Sequence, residues 1–478
     1  MAVSALVLAA CQIDVPTVGY DLQRTGFDPF ETTIGVSNVS QLQVAWSTPV
    51  APNNIDMQPT VAPDVSIPSP TGSGPSTTVN LVFVGDETGL FEAVNADTGA
   101  VVWQQQLDSH PGGAANPNCS TGQFGVSSTP VIDRTTNRVY VVDGDDELHA
   151  FDLATGDEVP GWPLNLSANT ATEHVWSGLT ELGSTLYVGI ASNCDDPPYQ
   201  GRLVAVDTTT VSVTHTFLVD GAGGPSGGGI WGWGGASVNA AGTDLYVGTG
   251  NALGANSAAG YADHVVELSA SDLSVIGAND PNIPQGDEDF GSTPVLFQRS
   301  GCPAQLAVEN KDGQLFLYDQ GNLGAGPVQS LQVANGANGD FIGDPAWDQT
   351  TDTLYVANPD SSATYPEGME AFTLGATCQL SPAWATALGT GPSVVSPPTV
   401  ANGVVYFANG YGDTVYALDA ATGAVLWSHT LPYYTFAPPT VANGYLYVPC
   451  DNGDLYAFSL PASASGSSSG TSSSSGTS

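Results

Sequence analysis

The sequence predicts an all-β fold, an eight-bladed propeller of four-stranded blades, on three observations. A phrase recurs along the chain: a strand such as Leu-Tyr-Val or Val-Tyr-Phe, a Gly/Asp turn, a second strand such as Val-Tyr-Ala-Leu, then often Asp-x-x-Thr-Gly and a Trp. Such a unit cannot bury both faces alone, whereas a ring of copies builds one core around a polar channel. The last copy, YLYVPCDNGDLYAFSL, stops at Leu460 without an outer strand, and the missing piece, LQVAWSTPV with Trp46, stands at the other end of the chain. Closing the last blade with the N-terminal strand leaves no unpaired edge.

The copies follow in order. LVFVGDETGLFEAVNADTGAVVW ends at Trp103, and RVYVVDGDDELHAFDLATGD runs to Asp157. TLYVGIASNCDDPPYQGRLVAVDTTT and DLYVGTGNALGANSAAGYADHVVELSASDL carry insertions between their paired strands. QLAVENKDGQLFLYDQ and TLYVANPDSSATYPEGMEAFTL fill the middle, and VVYFANGYGDTVYALDAATGAVLW ends at Trp427. Val405-Tyr406-Phe407 and Val415-Tyr416-Ala417-Leu418 have strand composition, and Asn409-Gly410, Asp451-Asn452-Gly453 and Lys311-Asp312-Gly313 have turn chemistry. The Thr-Gly pairs at 98–99, 155–156 and 422–423 read as turns, and Trp103, Trp384 and Trp427 as packing between blades.

The repeat sets the domain reading. Residues 42–460 form one propeller, 12–41 an N-terminal lead-in, and 461–478 a flexible Ser/Gly tail. Residues 1–11 read as the remnant of an export signal. Leu8-Ala9-Ala10-Cys11 resembles a lipobox, with Cys11 as the lipidation candidate. The expected location is extracellular or at the cell surface, with membrane attachment only through that lipid.

Composition narrows the partners. Six Lys and Arg against 47 Asp and Glu give a formal charge of -41. So negative a chain repels nucleic acid and anionic lipid. It points to high salt, divalent cations or an acidic medium, and a charged fraction of only 11% fits the acidic medium at least as well. Besides Cys11 there are five cysteines, and they form no Cys-x-x-Cys pair. Cys119 with Cys194 and Cys302 with Cys378 are candidate disulfides, with at least one thiol left over.

The opening GYDLQRTGFDPFETTIGVSNVSQLQVAW and the Leu-Tyr-Ala-Leu-Asp-x-x-Thr-Gly-x-x-x-Trp theme resemble the quinoprotein alcohol dehydrogenase superfamily, over about residues 16–460. The resemblance implies an eight-bladed fold, and four elements match its site. Trp231, in Gly228-Gly229-Ile230-Trp231-Gly232-Trp233, matches the aromatic that lies flat against pyrroloquinoline quinone (PQQ). Asn251, in Thr249-Gly250-Asn251, matches an amide ligand of calcium. The stretch Asp287-Glu288-Asp289 matches the acidic segment, with Asp289 the first choice for proton-abstracting base and calcium neighbour, and Asp287 the second. Lys311, the sole lysine of the chain, matches the cation on the quinone oxygens.

Three departures weigh the other way. Where the family carries a calcium-binding Glu, this chain has Cys194-Asp195-Asp196, and Asp195 is the candidate metal ligand in its place only if the backbone approaches closer, its side chain being shorter. The adjacent-cysteine ring over PQQ and the Cys-x-x-Cys-His haem segment are both absent from the sequence. Two readings therefore stand. The first is an exported, non-catalytic, cofactor-free propeller that binds an extracellular polymer, a protein or its own copies. The alternative is a PQQ- and calcium-dependent alcohol or polyol dehydrogenase. No Ser/His/Asp set supports a hydrolase, and His174 reads as a hydrogen-bonding loop residue.

Overall fold

The computed structural model describes residues 12–50, 54–69, 74–111, 123–192, 195–221, 227–253, 260–282, 289–336, 343–389, 396–410 and 412–461. Within them the chain forms eight four-stranded antiparallel blades, with helix limited to short 3-10 turns. Blades 1 to 7 span residues 60–106, 131–165, 180–218, 237–279, 295–332, 346–387 and 399–430. Blade 8 takes three strands from 440–459 and its outermost from Gln43–Pro49, which pairs antiparallel with Asp454–Ser459 from Gln43↔Ser459 to Pro49↔Asp454. Strand order follows chain order outward in blades 1 to 7, so a hairpin never has to cross another.

Burial explains the sequence pattern. In blade 7 the second strand, Val404–Ala408, is buried at every residue, because its two faces meet neighbouring blades. The outermost strand, Val425–Thr430, alternates between exposed and half-buried. Apolar runs thus mark the middle of a blade and alternating runs its rim. No helix among the described residues is long and apolar enough to cross a membrane.

The Trp and Thr-Gly signals are two halves of one joint. Four outer-strand indoles donate to a carbonyl at the next blade: Trp46 to Ala96 at 3.0 Å, Trp103 to Leu153 at 3.0 Å, Trp384 to Ala420 at 3.0 Å and Trp427 to Leu42 at 3.1 Å. The turn glycine lies against the indole. A Cβ on Gly156, whose φ is +72°, would stand 2.6 Å from Trp103 Cδ2, and one on Gly423 2.4 Å from Trp384 Cε3. Glycine serves there both for its backbone and for the room it leaves. Blades 5 and 6 are also joined covalently, by Cys302–Cys378. Cys450 is a buried free thiol, pushed up to about 11 by burial. Cys11, Cys119 and Cys194 lie outside the described residues.

The lead-in closes the inside of the ring. The inner edge of each innermost strand faces the channel and would leave backbone N–H groups unpaired there. Carbonyls of the lead-in meet them one blade after another: Val15 accepts from Val61, Pro16 from Ile132, Leu22 from Val238, Gln23 from Leu296, Thr25 from Trp347 and Gly26 from Val400, at 2.7–3.0 Å. At blade 3 the buried Arg24 guanidinium donates to Leu179 O and Thr180 Oγ1. At blade 8 the Tyr20 hydroxyl accepts from Val441 N at 2.7 Å and donates to Val441 O at 2.9 Å. Twelve residues of irregular backbone therefore touch every blade.

Many interior carboxyl groups are raised by burial; Arg202 pulls Asp146 back and Arg24 pulls Asp344 back, each by less than burial raises it. Burial is the first cause in each case, and it pushes Asp28 to about 6, Glu92, Asp263 and Asp344 to about 7, and Asp146, Glu181 and Glu370 to about 8. The fully buried Glu309, and Asp451 beside Asp56 and Glu87, move the same way.

Two outcomes are expected. Tyr20→Phe strips both partners from the buried Val441 peptide groups and should cost about 1–3 kcal/mol in urea denaturation. A stability equal to wild type would show that the channel contact carries no weight. The second concerns pH. A carboxyl with a folded pKa above its unfolded value stabilises fully below the unfolded pKa, about 4, and that contribution is lost as pH rises through the folded pKa. The seven carboxyl groups place the loss between about pH 4 and 8; Glu173, held down by Arg202 against burial, opposes it only below its usual carboxylate range, and the imidazole of His174, pushed down to about 3 by burial, opposes it as pH falls below about 6.5. Melting temperature should therefore be several degrees higher at pH 5 than at pH 8; the opposite order would contradict the buried-carboxyl account.

Candidate functional site

The site residues stand on loops of blades 3, 4 and 5 at one end of the ring. Asp195 lies in the hairpin between strands Thr185–Ser192 and Arg202–Asp207, Asn251 in the hairpin after Asp244–Gly248, and Lys311 in the hairpin after Gln305–Glu309. Trp231 and Asp289 lie in the connections leading into blades 4 and 5. In a propeller these two kinds of loop share one rim, which brings residues 116 positions apart in sequence to one place, as Asp195 and Lys311 are.

Asp289 is the hub. Its carboxylate accepts from Lys311 Nζ at 2.5 Å through Oδ2 and from Asn251 N at 2.6 Å through Oδ1. The backbone repeats the link, with Lys311 N donating to Asp289 O at 3.0 Å. Both partners are buried, Asp289 at 1% and Lys311 at 7% exposure, so water screens the pair little. The Asn251 amide terminus lies 2.7 Å from Asp289 Oδ1 and 3.2 Å from Asp195 Oδ2. With its NH2 group toward them it donates to both carboxylates; turned over, it joins its oxygen to theirs. The second arrangement is the all-oxygen donor set that a hard divalent cation takes.

Glycines permit this approach. Gly250 N donates to Gly229 O at 2.7 Å, tying the two loops together. A Cβ on Gly250 would fall 2.3 Å from Asp289 Oδ1 and 2.5 Å from Trp231 Nε1, and one on Gly229 2.5 Å from the same nitrogen. The buried Trp231 packs with Tyr199 and Ala191, its ring edge-on to Tyr199 at 6.3 Å. Its indole Nε1 is buried and has no hydrogen-bond partner among the described residues.

The structure thus brings together Trp231, Asn251, Asp289, Lys311 and Asp195. Asp287 lies outside the described residues. Three further groups escaped the sequence reading. The Tyr199 hydroxyl donates to Asp195 Oδ1, and burial followed by that carboxylate pushes the phenol far up. Asp263, whose N–H donates to Gly250 O at 3.1 Å, is pushed to about 7 by burial and then by the charges of Asp289, Asp280, Asp220 and Asp195. Asp220 is the third. Asp263 falls in an insertion without repeat periodicity, so no positional signal marks it. Four carboxyl groups around one ammonium leave an excess of negative charge that a bound cation would relieve.

His174 occupies a short strand rather than a loop, Glu173–His174, because its backbone pairs with Ala191 and Ser192. Its Nε2 is 2.8 Å from Ser127 Oγ, which donates to Glu87 Oε1 at 2.7 Å. Burial pushes the imidazole down to about 3. Here the carboxylate sits on the hydroxyl, not on the far side of the imidazole, which is the wrong order for a nucleophilic triad.

Comparison with known proteins agrees with the fold. The model of a family described as outer membrane protein assembly factor BamB matches residues 36–222 and 371–464. Polyvinylalcohol dehydrogenase from Sphingopyxis sp. (strain 113P3) is 25% identical over 287 residues, which take in 51% of this chain and 42% of that protein, so the chain spans less than half of this relative's length. Two solved structures share the architecture at low identity. A europium-containing methanol dehydrogenase superposes with a TM-score of 0.72 at 15% identity, covering 94% of this chain and 98% of that one. Quinohemoprotein alcohol dehydrogenase ADHIIG from Pseudomonas putida HK5 gives 0.70 at 14%, covering 94% and 81%. The repeat, the eight blades and a family match over more than half of its length together show that the chain belongs to the PQQ-repeat propeller family described as outer membrane protein assembly factor BamB.

Proposed function

We propose that the protein is an exported dehydrogenase that oxidises a hydroxyl-bearing substrate with PQQ and a calcium-class cation. The observation that carries this is the convergence of Asp195, Asn251, Asp289 and Lys311 beside Trp231. A non-catalytic binding or assembly propeller, the first expectation from sequence, gives no reason for the chain's sole lysine to be buried against a carboxylate at that place. The assembly-factor match also passes over residues 223–370, the stretch that holds Trp231, Asn251, Asp289 and Lys311. The names of the curated relative and of both structural neighbours point to alcohol oxidation.

The donor set fits the cofactor pair. Trp231 supplies a flat aromatic, and its unpartnered Nε1 is a donor to spare for a quinone or a carboxylate. The oxygens of Asp195, Asn251 and Asp289 would hold the cation. PQQ, when bound, supplies the hydride acceptor. The chain's own residues do the rest. Lys311 donates to the Asp289 carboxylate, and Asp289 takes the proton of the substrate hydroxyl as general base. Gly229 and Gly250 leave room for Trp231 and Asp289 to close on the backbone beside Asn251. A separate acceptor would take the electrons onward. The polyvinylalcohol-oxidising relative makes polyols and hydroxylated polymers the substrates of choice.

The test is dye reduction by the protein reconstituted with PQQ and calcium, over primary alcohols, polyols and polyvinyl alcohol. Turnover is expected with at least one of them, and Asp289→Asn should lower kcat about 10²–10⁴-fold while the melting curve stays cooperative. Turnover unchanged by Asp289→Asn, or none from a protein that has taken up PQQ, would overturn the assignment in favour of a binding propeller.

A further inference from the structure

Blade 2 carries a second cluster of ligand-type side chains, distant in sequence from the first. Its hairpin reads Asp143-Gly144-Asp145-Asp146-Glu147-Leu148-His149, joining strands Arg138–Val142 and Glu147–Asp152. One ligand atom each from Asp143, Glu147 and His149 lie within 4.8 Å of one another. We propose that Asp143, Glu147 and His149 form a binding site for a divalent ion of the zinc class.

The imidazole adds a nitrogen ligand to what would otherwise be a cluster of acids. His149 Nδ1 is 2.6 Å from Glu158 Oε1, a contact that a ring N–H makes by donating. The ring's other nitrogen faces Asp143 Oδ2 at 3.2 Å, where an imidazolium N–H donates to the carboxylate and a neutral ring offers its lone pair to an ion. Without an ion a proton fills that place, since burial lowers the imidazole but the hydrogen bonds and charges of Asp143 and Glu158 more than offset it; a zinc-class ion would take the place of that proton. Two ligands at about 2.0–2.1 Å from a tetrahedral ion stand roughly 3.3 Å apart, close to the observed spacing. The Glu158–His149 contact is also the carboxylate–imidazole pairing that orients metal-bound histidines.

The scaffold holds its parts still. Asp143 is buried and fixed by the backbone N–H groups of Asp145 and Glu147 at Oδ1, with Asp108 N donating to Oδ2 at 3.2 Å. His149 is buried at 7% exposure and stacks on Phe151, with ring centroids 5.5 Å apart. Glu147 is half-buried and gives the ion a way in. Nitrogen among the ligands selects zinc-class ions over calcium. The outer strand of this blade, Leu164–Asn165, is two residues long, so an ion bound through His149 to Glu158 would fasten an edge that has few ladder bonds.

The experiment is calorimetric titration of the chelator-stripped full chain with zinc in the presence of saturating calcium. Wild type should take up one equivalent and gain melting temperature. His149→Gln and Glu147→Gln should each lose that uptake, and Glu158→Gln should weaken it about 10–100-fold, with melting curves measured without metal remaining cooperative. Asp289→Asn should bind zinc as wild type does, which separates this site from the proposed catalytic one. No zinc uptake by folded wild type, or equal uptake by His149→Gln and Glu147→Gln, would overturn the proposal.

Discussion

Positive charge is the scarce material in this protein, and its placement organises the structure. One lysine and five arginines face 47 carboxyl groups. Arg24 ties the lead-in to blade 3, Arg134 lies 3.5 Å from Asp14 and so holds the start of the lead-in to blade 2, and Arg299 joins Asp352 across blades 5 and 6. Arg202 meets Glu173 at 2.7 Å within blade 3. Lys311 alone among them is buried in a loop cluster together with the carboxylate it pairs. A buried ion pair is weak evidence for stability, because desolvation offsets much of its attraction. That is why the position of this lysine speaks for chemistry more than for folding.

The same scarcity shapes the interior. Burial raises many interior carboxyl groups, several of them to between about 6 and 8, which favours their neutral form. The lead-in makes that interior possible by pairing the inner-strand N–H groups that an open channel would leave to water. Its continuation, Gln43–Pro49, then becomes the rim of blade 8, so one stretch of about 35 residues closes the ring on the inside and on the outside. The hairpins of blades 3 to 5 are thereby held rigidly enough to bring Asp195, Asn251, Asp289 and Lys311 within hydrogen-bond distances.

The sequence made the fold legible because the signal is repeated: eight copies of one strand pattern outweigh any ambiguity in a single copy. The candidate site was legible where backbone demands leave a mark, in the glycines around Trp231 and beside Asn251. It was less so where a contact arises from loops that obey no period. Asp263 and Tyr199 belong to insertions, and nothing in their spacing announces that they meet Asp195 and Asp289. The lead-in showed no alternation because carbonyls and scattered polar side chains such as Thr17, Tyr20 and Arg24 share its contacts with the blades, in no two-residue register. Of the two disulfide pairings left open, Cys302–Cys378 forms between adjacent blades, a proximity visible only once blades 5 and 6 are side by side. The joint between Trp103 and Gly156 was read as two separate structural signals, since their contact crosses a blade boundary.

The central claim is that the loops of blades 3 to 5 form a cofactor site. Calorimetric titration of the metal-stripped protein with PQQ, with and without calcium, tests it most directly. The account predicts saturable binding near one PQQ per chain that requires calcium and weakens when Trp231 or Lys311 is replaced. Absence of binding to the folded protein, or binding indifferent to both calcium and those replacements, would contradict it.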